Sequence, residues 1–509
     1  MEIYNQLLHG LIVALGPMNI GLLLAGCFFG TLIGSLPGLG PVNGVAILIP
    51  LAFSLGLDAT ASMILLSAVY YGCMYGGRIS SILLNIPGDE PAIMTTLDGY
   101  PMTLKGRAGE ALAISAVASF VGATVATVGL TLFAPLLARA AIYFAPEDYF
   151  ALFILAFITI GGLGGADPRK TLLAACIGLM IAMVGIDPAS GVPRFTFGWF
   201  DLYDGINPIV ALIGLFALSE LFWLLETGFR GSSPTGNTSA KSRLPSVKTL
   251  KKTAGATARG SALGFIAGIL PGAGASLGAV ISYAFEKQIS NRDGTFGKGD
   301  ERGVAAPEAG NNAASGGALI PMLALGVPGS GTTAVLLAML ISLNVQPGPL
   351  LFERNPDLVW GLIASLYLAN FALLIMNVPL VSIFTRVLSV PVWILLPLVA
   401  SVSFVGVYSI SHSPFQMVTM ITFGLIGFLL RKCEISLVPV VLGLLLAGDM
   451  ENNLRRALSI SGGDYEILVQ SPISLGLYVV AALFLLLSFV LWKRDNGRSE
   501  LIEDSQQIS

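Results

Sequence analysis

Charge, histidine and patterned cysteine are all scarce in this chain, and each shortage removes a class of function. Only 11% of its 509 residues are charged, against 54% hydrophobic, and the mean hydropathy is +0.81. A soluble globular domain does not have that balance. The two histidines, His9 and His412, give a catalytic triad or a histidine-built metal centre almost nothing to draw on. Cys27, Cys73, Cys176 and Cys433 stand far apart with no CxxC spacing, and read as small apolar packing residues. A phosphate-binding GxxxxGK[ST] loop is missing too. The nearest approach, from Gly164 to Thr171, has Arg169 where the second glycine must stand, which disfavours an ATP-driven pump. No Lys or Arg precedes Arg78, so there is no basic leader region, and the first apolar stretch is expected to be retained. The net charge of −3 says nothing about partners.

What fills the chain is apolar sequence of membrane-spanning length. In the first half the stretches run near 11–35, 42–57, 59–84, 111–135, 149–165, 171–186 and 208–225. In the second half they run near 260–285, 312–326, 332–346, 358–386, 390–410, 414–430, 434–448 and 473–492. None alternates like a barrel strand, so the expected fold is an all-α polytopic membrane protein. Between the halves, 227–259 is rich in Gly, Ser, Thr and Pro. It holds seven basic residues (Arg230, Lys241, Arg243, Lys248, Lys251, Lys252, Arg259) and no acid. It reads as a cytoplasmic linker by the positive-inside rule, not as a nucleic-acid patch. Lys493, Arg494 and Arg498 place the tail in the cytoplasm as well. The expected parts are a first transmembrane repeat (1–226), the linker (227–259), a second repeat (260–492) and a polar tail (493–509). A connection at 187–207 carries Phe195, Phe197, Trp199, Phe200 and Tyr203, as an interfacial aromatic belt does.

One glycine-proline phrase occurs twice. Gly30 to Gly44 reads GTLIGSLPGLGPVNG, and Gly264 to Gly278 reads GFIAGILPGAGASLG, with seven of fifteen positions matching 234 residues apart. Proline cannot donate the helical hydrogen bond and glycine is a poor helix former, so LPGxG interrupts a helix. In hydrocarbon, freed backbone groups are tolerated only against protein or a polar cavity, and one such break per half points to a transporter site. Arms of about a dozen residues, roughly 18 Å each, suggest re-entrant hairpins, although kinked full-length helices also fit. At the tips, Pro37, Gly38, Gly40, Asn43, Pro271, Gly272, Gly274 and Ser276 are candidates for holding an ion or a carboxylate. If the first copy is approached from outside and the second from the basic linker inside, the two halves are inverted, pseudo-symmetric repeats.

A second phrase follows each first one: GGRISSILLNIPGDEP from Gly76, and GGALIPMLALGVPGSGTT from Gly316. The offset is 240 at the glycines and 241 at the Pro-Gly, as if one residue had slipped. Candidate oxygen donors and breaks here are Ser80, Ser81, Asn85, Pro87, Gly88, Thr95, Thr96, Pro328, Gly329, Ser330, Thr332 and Thr333. For any single Ser or Thr, back-bonding to its own helix is the plainer reading. Arg78 is the one cation in its apolar stretch. It could neutralise an anionic substrate, pair with Asp89 or Glu90, or snorkel to the interface. Glu308 follows Pro307 as if at a helix start, with Asn311 and Asn312 on the same face; the trio is a candidate ion or substrate site.

Together these phrases resemble the tripartite tricarboxylate transporter family, specifically its large integral-membrane subunit. The pieces are GSLPGLGPVNG, YGGRISSILLNIPGDEPAIMTTLDGYP, GILPGAGAS, PEAGNNAASGGALIPMLALGVPGSGTTAVLLAML and ENNLRRALSISGGD, in order along most of the chain. The resemblance implies a bacterial inner-membrane, non-enzymatic carrier that takes up a carboxylate. It implies two partners, a small membrane subunit and a periplasmic solute-binding protein. Coupling to a cation gradient, sodium above all, and an elevator-like movement are implied as well; no resident cofactor is. Rival readings are an ion channel, since broken helices also line pores, and an intramembrane hydrolase, since Gly274–Gly278 matches G-x-S-x-G. The segment Glu451 to Asp464 is too polar to span and is expected at an interface.

Overall fold

A computed structural model describes residues 2–36, 38–162, 167–227, 245–272, 274–291, 293–379, 381–387, 392–486 and 488. About 80% of the described residues are helical. The first part comprises α1 (Glu2–Ala14), α2 (Pro17–Ser35), α3 (Gly40–Ser54), α4 (Ala59–Leu84), α5 (Ile93–Leu104) and α6 (Ala108–Ala141). The apolar stretch expected as one piece from 11 to 35 is cut by Gly16-Pro17, because Pro17 is accepted only in a first helical turn. Then follow α7 (Pro146–Gly162), α8 (Pro168–Ala182), a two-stranded hairpin β1 (Gly185–Ile186) and β2 (Pro193–Arg194), α9 (Pro208–Leu212) and α10 (Ser219–Thr227), the last two joined by a π-helical segment.

After the linker come α11 (Val247–Ile269), α12 (Gly274–Ser290), α13 (Glu301–Gly317), α14 (Leu319–Leu325) and α15 (Gly331–Ser342). Then come α16 (Leu351–Arg354), α17 (Pro356–Asn377), α18 (Val381–Val387), α19 (Val392–Ser411), α20 (Pro414–Lys432), α21 (Leu437–Ile460) and α22 (Ile467–Gln470), followed by a further apolar helix over Pro472–Leu486. Among the described residues six helical segments are long and apolar enough to cross a membrane: Pro17–Ser35, Ala108–Ala141, Pro208–Glu226, Pro356–Asn377, Pro414–Lys432 and Leu437–Ile460. The chain is thus an all-α polytopic membrane protein.

Two sequence expectations are corrected here. Residues 247–259, read as flexible linker, form the first half of α11, capped by the Ser246 hydroxyl on the Thr249 N–H. Ala, Lys, Leu and Arg in that stretch are good helix formers, and they outweigh its glycine and threonines. The rest of the linker falls almost wholly outside the described residues. The helical arms around the breaks are also longer than expected: α2 has 19 residues and α11 has 23, about 28 and 34 Å at 1.5 Å per residue.

By packing, the chain divides into two compact units that interleave along the sequence. The larger takes 1–142, 208–270 and 274–428; the smaller takes 143–207, 271–273 and 429–509. In the larger, α4 and α13 are buried along almost their whole lengths. Glycine makes that possible, because helices approach backbone to backbone where no Cβ intervenes. In the smaller unit, α8 meets α21 the same way, with Gly178 against Val440 and Gly443 against Ala175. There Arg194 of the hairpin reaches Asp187 and Glu451, both at 2.9 Å, and Arg455 reaches Glu451 at 2.6 Å. The polar segment from Glu451 continues α21 as a helix to Ile460, with Glu451 and Arg455 held in ion pairs. Ser190, the Ala189 N–H and Arg194 hold the Asp187 carboxyl below the usual carboxylate range.

Candidate functional site

The two copies of the first phrase fold alike. In each a helix stops at a leucine in extended conformation, Leu36 (ψ 123) or Leu270 (ψ 122), whose N–H returns three residues to Ile33 or Ala267. Two left-handed glycines follow, Gly38 (φ 82) and Gly40 (φ 58) against Gly272 (φ 80) and Gly274 (φ 62). Only glycine adopts these angles without strain, which explains why the phrase keeps its glycines. In the first copy the returning helix sets Gly44 against Ile33; in the second, Ser282 of α12 donates to the Gly260 carbonyl of α11 at 3.2 Å. Both are helical hairpins. Pro37 lies outside the described residues, and Pro271 and Gly272 form the turn from α11 to α12.

The packing against the second phrase matches as closely. Gly26, Gly30 and Gly34 of α2 press on the backbone of Leu65, Val69 and Cys73 in α4. Gly260, Gly264 and Gly268 of α11 press on Ala306, Gly310 and Ala314 in α13. The partners stand 234 residues apart on one side and 241 on the other. Gly76 meets Thr31 and Gly34, while Gly317 meets Phe265 and Gly268, so the true counterpart of Gly76 is Gly317 and no residue has slipped. The adjacent glycine pairs at 76–77 and 316–317 had masked a constant offset. At the ends of the second phrase Asn85 (φ 59) and Gly326 (φ 71) are both left-handed caps.

Each half thereby brings two helix starts together. Gly40, opening α3, lies beside Asp89 in the turn before α5; Gly274, opening α12, lies beside Ser330, which opens α15. Ser330 and Thr333 form a reciprocal capping box, with Thr333 N–H to Ser330 Oγ at 3.2 Å and Ser330 N–H to Thr333 Oγ1 at 2.8 Å. The N–H groups of Gly331 and Thr332 have no carbonyl within reach along the helix, and the buried Thr332 adds a hydroxyl. This is an arrangement of donors suited to an anion. Pro328 and Gly329 make the turn into it, Gly329 lying on Ala318 as Gly88 lies on Gly77. The Gly38 N–H bonds the Gly88 carbonyl at 3.2 Å, which ties the first tip to the turn after Pro87. Across the halves, Ser276 donates to Glu90 at 3.3 Å.

A second cluster lies deeper. Glu308, fully buried, accepts from Thr95 of α5 at 2.5 Å and from Ser119 of α6 at 2.9 Å. Arg78 of α4, also buried, donates to Ser115 at 2.8 Å, to the Leu112 carbonyl at 3.3 Å and to the Tyr75 carbonyl at 2.8 Å, and stacks on the Tyr75 ring. One Arg78 nitrogen, Nη2, has no partner. Ser115 and Ser119 are one turn apart on α6, so the two charges share a wall without touching. Three readings of this region are corrected. Arg78 neither pairs with Asp89 or Glu90 nor snorkels, because it is buried with its guanidinium held by Tyr75, Leu112 and Ser115. Glu308 does not open a helix: α13 starts at Glu301 under an Asp300 cap, and Pro307 lies inside it. Ser115 and Ser119 were not singled out from sequence; single serines in an apolar run carry no distinguishing pattern.

The other candidates sort plainly. Asn312 donates to the Glu308 carbonyl at 3.0 Å, while Asn311 has a buried, unpartnered Oδ1. Asn43 donates to Glu220 of α10 at 3.3 Å. Ser80 and Ser81 bond back to Gly77, and Thr96 back to Ile93, as ordinary helical hydroxyls do. Asp98, unremarked in sequence, anchors α5: its Oδ1 accepts N–H groups of Gly297, Gly299 and Asp300 at 2.9, 2.9 and 2.8 Å, and its Oδ2 the Tyr283 hydroxyl at 3.0 Å. Beside it Arg107 and Lys252 both grip Glu301, and Arg302 holds Asp300 at 2.7 Å. Burial opposes ionisation of Asp300, but the Arg302 and Thr295 hydrogen bonds prevail and bring its carboxyl down to about 2. The G-x-S-x-G match lacks the strand–turn–helix setting that motif requires: Ser276 lies in α12 after the turn from α11, and its hydroxyl donates to Glu90.

The sequence profile described as "Tripartite tricarboxylate transporter TctA family" matches residues 20–442. An Agrobacterium vitis protein named "Uncharacterized 52.8 kDa protein in TAR-I ttuC' 3'region" is 37% identical over 498 residues, 97% of this chain and 98% of that one. Another from the same organism, "Uncharacterized protein in TAR-II ttuC' 3'region", is 37% identical over 235 residues, 46% of this chain and 97% of that one. No solved structure matches.

Proposed function

The chain belongs to the tripartite tricarboxylate transporter TctA family, and on that premise we propose that it is the large permease subunit of a cation-coupled carboxylate uptake system. It works in a bacterial inner membrane with a small membrane subunit and a periplasmic solute-binding protein that delivers the carboxylate. The linker and C-terminus face the cytoplasm, and sodium is the coupling ion. The two halves are inverted, pseudo-symmetric repeats, each carrying one of the hairpins at the substrate site, and transport is an elevator-like movement.

The observation that carries this reading is the paired break: two hairpins with the same glycine angles, each packed by the same glycine ladder on a second broken element. A helix interrupted twice over at equivalent places fits a binding site far better than it fits simple packing. The carboxylate is taken by the open starts of α12 and α15, with Ser330, Thr332 and Ser276 as hydroxyl donors. Arg78 and Glu308 hold α4, α5, α6 and α13 in register around that site. Uptake by proteoliposomes carrying the permease and its small subunit tests the reading: labelled carboxylate should enter only with the loaded binding protein and a sodium gradient. Ion flux in the absence of carboxylate would mark a channel instead.

A further inference from the structure

The pseudo-equivalent turns have different chemistry. Where the second half has neutral Ser330, whose hydroxyl oxygen accepts the Thr333 N–H in a capping box, the first half has Asp89. Asp89 Oδ1 accepts the Ala92 N–H at 3.0 Å, as a turn-closing carboxylate does. Its Oδ2 is sealed from solvent with no hydrogen-bond partner, although the residue as a whole is only half-buried. A carboxylate oxygen in that position needs a compensating charge. Among the described residues no base pairs with it. The charges that act on Asp89 are Glu308 and Glu90, both acids. Arg78, the nearest base in sequence, is turned to Tyr75, Leu112 and Ser115.

The walls suit a small cation. A Cβ added at Gly77 would lie 2.9 Å from Oδ1 and 3.3 Å from Oδ2, so the bare Gly77 backbone faces the carboxylate, while Gly40 lies against the Asp89 Cβ. Two helices, α2 and α4, end beside this turn, which rests on Gly34 and Gly77. The last carbonyls of a helix lack N–H partners and carry partial negative charge. One carboxylate together with the carbonyls of broken helix ends is a donor set that suits a hard monovalent ion. Among the described residues no three His, Cys, Asp or Glu side chains gather as they would around a divalent metal.

The geometry points to a sodium-type monovalent-cation site at Asp89 Oδ2, built on the first hairpin, while its neutral counterpart at Ser330 takes the carboxylate. This deepens the carrier reading and rests on it: cation and anion occupy equivalent places in the two repeats, told apart by one residue.

The test needs no substrate. The purified full chain in detergent is melted in sodium chloride and in choline chloride at equal ionic strength, at several pH values. Sodium should raise the Tm of the wild type by about 2 °C or more at saturating concentration. The rise should vanish in Asp89→Asn and in Asp89→Ser, which carries the residue type of the second half. It should persist in Asp357→Asn, an exposed acid paired with His9. A sodium shift retained in both Asp89 variants overturns the site. So does a wild-type Tm that follows pH and ignores sodium, since Asp89 would then hold a proton. Failure of carboxylate uptake would sink the carrier reading and leave this measurement standing.

Discussion

Thr95 donates its hydroxyl to Glu308 at 2.5 Å, joining a helix of the first half to a helix of the second inside the larger packing unit. Ser119 holds the other carboxylate oxygen at 2.9 Å. Thr95→Val removes one bond to a buried charge and should cost about 1.5–3 kcal/mol. Glu308→Ala also leaves Arg78 buried without its counter-charge and should cost more, about 3–5 kcal/mol. Thermal unfolding in detergent gives the order: Glu308→Ala below Thr95→Val below wild type. Equal stabilities would show that the cluster carries no structural charge balance.

The glycine ladders make a sharper prediction. A Cβ at Gly34 or Gly264 would fall within 3.0 Å of backbone in the neighbouring helix, while one at Gly21 meets nothing within 4 Å. Gly34→Ala and Gly264→Ala should each destabilise by at least 1–3 kcal/mol. Gly21→Ala, inside a helix, should be neutral or slightly stabilising. Folded yield and Tm distinguish them.

Asp300 gives the pH dependence. Its folded carboxyl lies at about 2 against an ordinary value of 3.8. A lowered folded value means that the stabilisation is fully present above about pH 4 and is lost as pH falls toward 2. Tm measured down that window should fall more gently in Asp300→Asn, which also starts lower because the cap of α13 and the Arg302 pair are weakened. Parallel curves would contradict the assignment.

Ser330→Ala removes the cap of α15 and should cost about 1 kcal/mol of stability. On the proposed function it should also raise the carboxylate concentration needed for half-maximal uptake by severalfold. Ser81→Ala, whose hydroxyl only bonds back to Gly77, should leave that concentration unchanged. Equal values in the two variants would remove Ser330 from the anion site.

Much of the architecture was legible because local chemistry dictated it. The stretch 59–84 coincides with α4, since Asp58 caps its start and left-handed Asn85 ends it. The LPGxG breaks were legible because proline and positive-φ glycine leave a helix few options. Residues 247–259 were misread because basic composition marks topology and says nothing about helicity. The interior position of Glu308 was hidden by Pro307, a residue that ordinarily opens helices. Ser115, Ser119 and Asp98 were invisible for a different reason. Their roles come from partners 37 to 202 residues away, and no local pattern encodes such pairings.

The most direct measurement of the central claim is binding-protein-dependent uptake of labelled carboxylate into proteoliposomes by wild type, Gly38→Trp and Gly272→Trp. Both glycines have φ near +80°, where a tryptophan is strained whatever space is open. The account predicts inserted, folded protein with uptake abolished in each variant, because both hairpin tips serve one site. Near-normal uptake by either variant would contradict it.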